Sequence, residues 1–145
     1  MSRLIHVVLF LFLLAGCVAK PGVRTGGGTN PQDLRVPRWI LSSLVVDGLE
    51  TPLSSPQQTI QFTQGGSVSG DAACNSFSGS YQAGDNGAIS LSNMVSTMRA
   101  CQAMDQESAY LNALSQVRNF RLEGGALILT SASAKTTLTF QRPAK

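Results

Sequence analysis

The sequence predicts an α+β domain with a mainly antiparallel sheet and a single helix, and three observations lead to this fold class. Short segments rich in β-branched and aromatic residues follow residue 38, and turn residues such as Gly, Asn and Asp separate them. One segment, residues 105–117, has the apolar spacing of an amphipathic helix and lacks Gly and Pro. The order strands, helix, strands is typical of α+β domains.

The elements of the predicted domain, residues 38–142, follow from the local pattern. Residues 39–46 are rich in β-forming residues and end at the turn Asp47-Gly48, and residues 51–56 hold two prolines and are predicted to be a loop. In the helix, Glu107, Tyr110, Leu111 and Leu114 mark one stripe at i, i+3, i+4 and i+7. The other strands are predicted at 59–63, 67–70, 77–81, 88–91, 119–123, 126–130 and 136–140.

The composition fits one globular domain and excludes several classes of function. The chain has 145 residues, 13% of them charged, and a formal net charge of +3, which is too weak for the basic footprint of a nucleic-acid-binding protein. His6 is the only histidine, and it lies in a segment that we expect to be removed. Without an imidazole, Ser-His-Asp and Cys-His catalysis and His-ligated metal sites are excluded. We therefore expect no nucleic-acid partner, no metal, no cofactor and no catalytic residue.

Residues 1–16 are predicted to be a lipoprotein signal peptide. Arg3 precedes an apolar run at residues 7–15, which is too short for the roughly 20 residues of a membrane-spanning helix. The run leads into Leu-Ala-Gly-Cys at residues 14–17, which resembles the bacterial lipobox. Cleavage after Gly16 would leave Cys17 as the lipidated, palmitate-bearing N-terminus. The alternative is an ordinary secretory signal with an incidental cysteine.

Residues 17–37 are predicted to be a lipidated flexible linker. They contain three consecutive glycines and three prolines with almost no apolar periodicity, and such a segment cannot offset its ordering entropy by burial. Its basic residues could attract anionic lipid headgroups, although a solvated tether is the favoured interpretation. Val18 is not the aspartate that commonly retains lipoproteins in the inner membrane. We therefore expect an outer-membrane anchor, with the domain facing the periplasm.

Two cysteines, Cys74 and Cys101, remain in the domain once Cys17 carries lipid. An even number of cysteines in an oxidising compartment favours a disulfide. It would close a loop of about 28 residues and contribute about 3.5 kcal/mol in the chain-entropy model. Two free thiols, or a redox or metal-binding pair, remain as alternatives, and the absence of a Cys-x-x-Cys spacing weakens the redox alternative.

The central motif resembles that of a known family. Residues 70–81 read G-D-A-A-C-N-S-F-S-G-S-Y, which resembles the G-x-x-G/A-C-N-x-[FY]-x-G-x-Y signature of the META domain family, with its HslJ-like heat-shock lipoproteins. Residues 97–101, T-M-R-A-C, resemble the family's T-x-M-A-C motif, and the helix stripe resembles its E-x-x-[FY]-L-x-x-L motif. The opening W-x-L and the closing L-x-L and L-x-F match residues 39–41, 127–129 and 138–140.

The resemblance implies a small, partly open, barrel-like sheet with one helix packed against it, in an envelope protein connected with heat shock and the stress response. It carries over no catalytic residue. The chain departs from the motifs at two places. Arg99 stands before Ala-Cys, where we expect it to perturb one side chain only. Ala73 replaces a usual glycine, which predicts that the backbone before Cys74 needs no glycine-only conformation.

The candidate binding residues are Trp39, Asn75, Tyr81 and Tyr110. Asn75 could be a polar site residue, although an Asn that bonds the backbone of its own turn is the favoured interpretation. Packing in the core or sheet explains the three aromatic residues at least as well as ligand binding does. The methionines around Cys101 are expected to fill the core, and a thioether copper site is the weaker alternative.

These observations predict a non-enzymatic, outer-membrane-anchored periplasmic lipoprotein that acts as a binding or chaperone-like module in envelope stress tolerance. Its partners would be the membrane, through the lipid anchor, and an unknown envelope protein or acyl ligand. An apolar cleft between helix 105–117 and the sheet, or an exposed strand edge, would hold the ligand. The alternative is a periplasmic lysozyme or protease inhibitor, for which Asn86 or the loop 51–56 would enter the active site. A structural spacer and an enzyme are the remaining alternatives.

Overall fold

A computed structural model describes residues 27–36 and 38–144, and within these ranges one antiparallel sheet curls against a single helix. The predicted signal peptide and Cys17 lie outside the described residues. None of the helices in these ranges is long and apolar enough to cross a membrane. The elements are a 3-10 turn (Pro31–Leu34), β1 (Trp39–Val46), β2 (Leu49–Thr51), β3 (Thr59–Phe62), β4 (Ser67–Asp71), β5 (Ser76–Ala83), β6 (Ile89–Ser96), α1 (Met104–Gln116), β7 (Val117–Glu123), β8 (Ala126–Ser131) and β9 (Thr137–Gln141).

The strands form a half-barrel in the order β6-β5-β4-β3-β1-β9-β8-β7, with β2 paired to β1. Strand β1 joins the two halves, pairing with β3 on one side and with β9 on the other, where Leu41 lies opposite Phe140. The two end strands approach each other at one corner, where Ala88 and Asn119 form a bridge. The predicted α+β fold class, with a partly open, mainly antiparallel sheet and one helix, is confirmed.

Helix α1 lies against the concave face of the sheet because its apolar stripe is buried there. Tyr110, Ala113 and Leu114 have no exposed surface, and the Tyr110 ring meets Phe77 and Phe140 edge-on at centroid distances of 6.0 and 6.3 Å. These side chains fill the space between helix and sheet. The apolar ligand cleft expected at this place is therefore occupied by the core of the protein itself.

The fold begins before residue 38, inside the segment predicted to be linker. Asn30 caps the 3-10 turn through the backbone N–H of Gln32, and the turn places Leu34 in the core with no exposed surface. The indole N–H of Trp39 donates to the Leu34 carbonyl at 2.9 Å. Glycine and proline content predicted a linker here, whereas one buried leucine and its cap make residues 30–36 part of the domain.

Strand β6 is longer than the predicted 88–91, because its serine-rich second half continues pairing with β5 past a bulge. At the bulge, the Asn93 backbone adopts a positive φ of 52°. The opposing residue, Gly79, has no side chain that would clash with the bulged strand. A Cβ atom on Gly79 would lie 2.6 Å from the sulfur of Met94. The bulge therefore needs glycine on one strand and a residue that tolerates positive φ on the other.

Candidate functional site

A buried polar cluster joins three segments: the turn at 72–75, the loop at 97–101 and the first turns of α1. Asn75, 2% exposed, lies at its centre. Its side-chain N–H groups donate to Glu107 Oε1 at 2.7 Å and to the Arg99 carbonyl at 2.9 Å. Its Oδ1 accepts from the Arg99 backbone N–H at 2.7 Å and from the Thr97 hydroxyl at 2.8 Å. Asn75 thus binds distant segments rather than its own turn, contrary to the interpretation favoured from residue type.

Glu107 is the acidic member of this cluster and is 4% exposed. Its Oε2 accepts from the backbone N–H groups of Cys74, at 2.9 Å, and Asn75, at 2.7 Å. Buried carboxylates are stable only where such donors replace water, and the positive end of α1 adds to the stabilisation because Glu107 lies in its first turn. The carboxylate therefore holds the 72–75 turn against the helix.

This arrangement strains the backbone at Ala73. The residue has φ 113°, in the left-handed region that glycine populates freely and alanine avoids. The cause is the double capture of the next two N–H groups by Glu107, together with a 2.7 Å bond from the Ala72 N–H to the Asn75 carbonyl. The expectation that this turn needs no glycine-like conformation is therefore wrong.

The disulfide and Arg99 close the cluster on its outer side. A disulfide joins Cys74 and Cys101, whose Cα atoms are 5.9 Å apart. The Arg99 guanidinium donates to the Cys74 carbonyl at 3.0 Å. Arg99 therefore does more than perturb one side chain, because its backbone N–H, its carbonyl and its guanidinium all tie the loop to the 72–75 turn.

The loop 97–101, which we call the motif loop, carries a fully exposed apolar side chain. Met98 is 98% exposed, and Met104, at the start of α1, is 39% exposed. The two methionines border a concave surface above the cluster, and the cavity that it encloses has a volume of about 300 Å³. Met94 packs, partly buried, against the core, so the expectation that these methionines fill the core holds for Met94 and is wrong for Met98. Met98 is exposed because the hydrogen bonds of Thr97 and Arg99 to Asn75 fix the backbone on both sides of it. Such long-range contacts leave no periodic pattern in the sequence.

The three aromatic candidates are buried, unlike the motif loop. Trp39 and Tyr110 have no exposed surface and Tyr81 has 7%. Each directs its N–H or O–H to a backbone carbonyl, at 2.9 Å for Trp39 and Tyr81 and at 3.0 Å for Tyr110. Burial and, to a smaller extent, the charge of Asp71 raise the pKa of Tyr110 well above 10.0. The structure therefore brings Asn75 into a cluster with other polar groups and places the aromatic residues in the core.

The two loops considered for an inhibitor are anchored turns, and neither carries a large exposed hydrophobic side chain. The Asn86 side chain accepts from the Ala88 N–H at 3.1 Å, within its own turn. In the loop 51–56, the Ser54 N–H donates to the Gln106 side chain at 2.9 Å, and Leu53 packs against the core. Across the described ranges, no group of three or more His, Cys, Asp or Glu side chains is placed to hold a metal ion.

A family model agrees with this geometry. The model of the META domain matches residues 32–144, which include the whole sheet, the helix and the polar cluster. The chain belongs to the META domain family. In this META domain, residues of the T-x-M-A-C motif and of the helix motif, 22 to 32 positions after Asn75, meet around its side chain.

Solved structures share the META fold of this chain. An NMR structure of a protein from Burkholderia xenovorans is 26% identical, with a TM-score of 0.65, and the match covers 94% of this chain and 100% of that one. A second NMR structure is also 26% identical, with a TM-score of 0.58, covering 77% and 93%. A crystal structure of a DUF4847 family protein from Bacteroides vulgatus, 13% identical with a TM-score of 0.59 and covering 74% and 93%, shares the fold alone. A comparison with curated proteins gave no match.

Proposed function

We propose that this META domain is the binding module of an outer-membrane lipoprotein, anchored through Cys17 and facing the periplasm. It would work without catalysis, in a chaperone-like way, in envelope stress tolerance. Family membership supports the association with the envelope and with stress. The lipobox-like residues 14–17 support the anchor.

The exposed side chain of Met98 carries this proposal. Exposed apolar side chains that border one groove mark an interaction site more often than single ones do, and Met98 shares its concave surface with the exposed side chain of Met104. Here the loop is ordered by Asn75 and by the disulfide rather than by contacts of Met98 itself. The fold thus keeps an apolar group in water at a fixed position, which is the arrangement expected of a contact surface.

The same cluster argues against an enzyme. The groups that could carry chemistry, the Glu107 carboxylate and the Asn75 amide, are buried and hydrogen-bonded within the fold. A general base must reach the proton it abstracts, and both oxygens of Glu107 already accept N–H groups of the fold. Their role is to hold the motif loop in position, which a binding module requires.

Site-specific photo-crosslinking tests this function. A photoreactive amino acid replaces Met98 in the natively lipidated full chain in cells, and the matched control replaces Leu49, which is 75% exposed on β2. We expect a discrete adduct from position 98 and none from position 49. Equal, diffuse labelling from both positions would show that the motif loop is not a specific contact surface.

The anchor needs its own measurement. Metabolic labelling with an alkyne palmitate analogue should mark the wild-type chain, and the Cys17→Ser variant should remain unlabelled. Label on the variant, or none on the wild type, would contradict lipidation at Cys17.

A further inference from the structure

We propose that the motif loop is a substrate-like inhibitory loop, with Met98 filling the apolar specificity pocket of a serine endopeptidase. The inference rests on the proposed function, since it names the partner class for the same surface. It replaces Asn86 and the loop 51–56 as the inhibitory element. Four features of the structure support it. The Met98 side chain projects into solvent, the backbone on both sides of it is rigid, its own backbone groups form no hydrogen bond within the described residues, and its side chain suits an apolar pocket.

The first feature is the projection of one side chain from the loop. Met98 is 98% exposed, whereas the next side chain, Arg99, turns back to donate to the Cys74 carbonyl. A protease recognises an extended segment chiefly through the side chain that enters its specificity pocket. The motif loop presents one such side chain, and its neighbour does not compete for the same position.

The second feature is the rigidity of the backbone on both sides of Met98. The Thr97 hydroxyl and both backbone polar groups of Arg99 bond to the Asn75 amide at 2.7–2.9 Å. The disulfide fixes Cys101 two residues further on. Loops that are ordered before binding lose little conformational entropy in the complex, and protease–inhibitor interfaces typically form with small backbone movement.

The third feature is the backbone of Met98 itself. Within the described ranges, neither its N–H nor its carbonyl forms a hydrogen bond. The carbonyl is therefore available to the oxyanion-hole donors of a protease. Thr97, Asn75 and the disulfide also hold the two sides of the Met98–Arg99 peptide bond together, so the loop keeps its shape in the protease cleft.

The fourth feature is the chemistry of methionine. Its unbranched thioether side chain adapts to apolar pockets of different shape, and a hydrophobic slot is the specificity pocket of chymotrypsin-like enzymes. Lysine at the same position would instead suit a pocket with a buried aspartate, as in trypsin. The identity of residue 98 therefore predicts which protease is inhibited.

Inhibition kinetics test this assignment. The natively lipidated full chain in detergent micelles is titrated against α-chymotrypsin and trypsin, each assayed with a small chromogenic peptide. We expect competitive inhibition of chymotrypsin with a constant on the order of 1 µM or tighter. Met98→Lys should weaken that inhibition about 30-fold or more and create inhibition of trypsin. Leu49→Lys, an exposed apolar residue on β2, is the matched control and should change neither constant.

Three results would overturn the inference. The first is no inhibition of chymotrypsin or trypsin by the wild type or by Met98→Lys at about 100 µM. The others are inhibition that Met98→Lys leaves unchanged, and rapid hydrolysis of the Met98–Arg99 bond as in an ordinary substrate. Circular dichroism confirms that each variant is folded. A specific crosslink from position 98 to a protein that is not a protease, without inhibition, would refute this inference and leave the binding module intact. Loss of both signals would refute both proposals.

Discussion

Replacing Glu107 with glutamine is expected to destabilise the domain by about 3 kcal/mol. The carboxylate accepts two backbone N–H groups at Oε2 and the Asn75 amide at Oε1. Glutamine has one oxygen, so its NH₂ group faces an N–H donor in either orientation. The variant loses at least one charge-assisted hydrogen bond, worth about 1.5–3 kcal/mol, and buries unpaired donors that cost about 1–3 kcal/mol. Partial relaxation of the turn keeps the sum near 3 kcal/mol.

Urea unfolding of the two chains measures this difference. Trp39 is the only tryptophan and is fully buried, so its fluorescence reports loss of the core. At about 4 °C per kcal/mol for a domain of this size, the melting temperature should fall by about 12 °C. Glu50→Gln, at an exposed carboxylate on β2, is the control and should remain within about 0.5 kcal/mol of wild type. A loss below about 1 kcal/mol for Glu107→Gln would refute the structural role assigned to the cluster.

Three further predictions concern the same core. Ala73→Gly should stabilise the domain by about 1 kcal/mol, because relief of about 1–3 kcal/mol of strain outweighs the added chain entropy; a lower melting temperature would contradict this. Removing the disulfide with Cys74→Ser and Cys101→Ser should cost about 3.5 kcal/mol in urea unfolding, and a loss under about 1 kcal/mol would exclude the staple. The raised pKa of Tyr110 means that the folded state keeps a proton that the unfolded state releases above about pH 10, so stability should fall there by up to about 1.4 kcal/mol per pH unit. Tyr110→Phe should flatten that fall, and equal slopes in urea unfolding from pH 9 to 11 would contradict the assignment.

The fold was predictable because its signals are local. The helix stripe that contains Tyr110 and Leu114 can be read from spacing within one segment, and the structure buries both residues. The turn at Asp47-Gly48 ends β1 as predicted, with φ values of 52° and 83° at its two residues. Leu34 was missed because two apolar residues, Leu34 and Val36, among Gly, Pro and polar residues are too few to establish a period.

The candidate site was less predictable because its contacts cross the chain. Asn75 bonds Thr97, Arg99 and Glu107, from 22 to 32 positions away, and no local rule joins these residues. The strain at Ala73 arises from the same long-range contacts and is equally hidden in the sequence. The exposure of Met98 depends on which neighbours the cluster holds, so residue type, which favours burial for methionine, gave the wrong expectation.

Some motif residues are buried and others are exposed, and this difference indicates which of them maintain the fold and which are available for contacts. The motif residues Cys74, Asn75 and Glu107 are buried and hold the segments together, so their role lies in the fold of the domain. Position 98 is the unspecified position of the T-x-M-A-C motif, and here it is the most exposed large apolar side chain among the described residues. If the motif loop contacts a protease as we propose, a scaffold that fixes the neighbours of residue 98 would change its partner by changing this one residue. The exchange of Met98 for lysine in the protease assay tests that consequence directly.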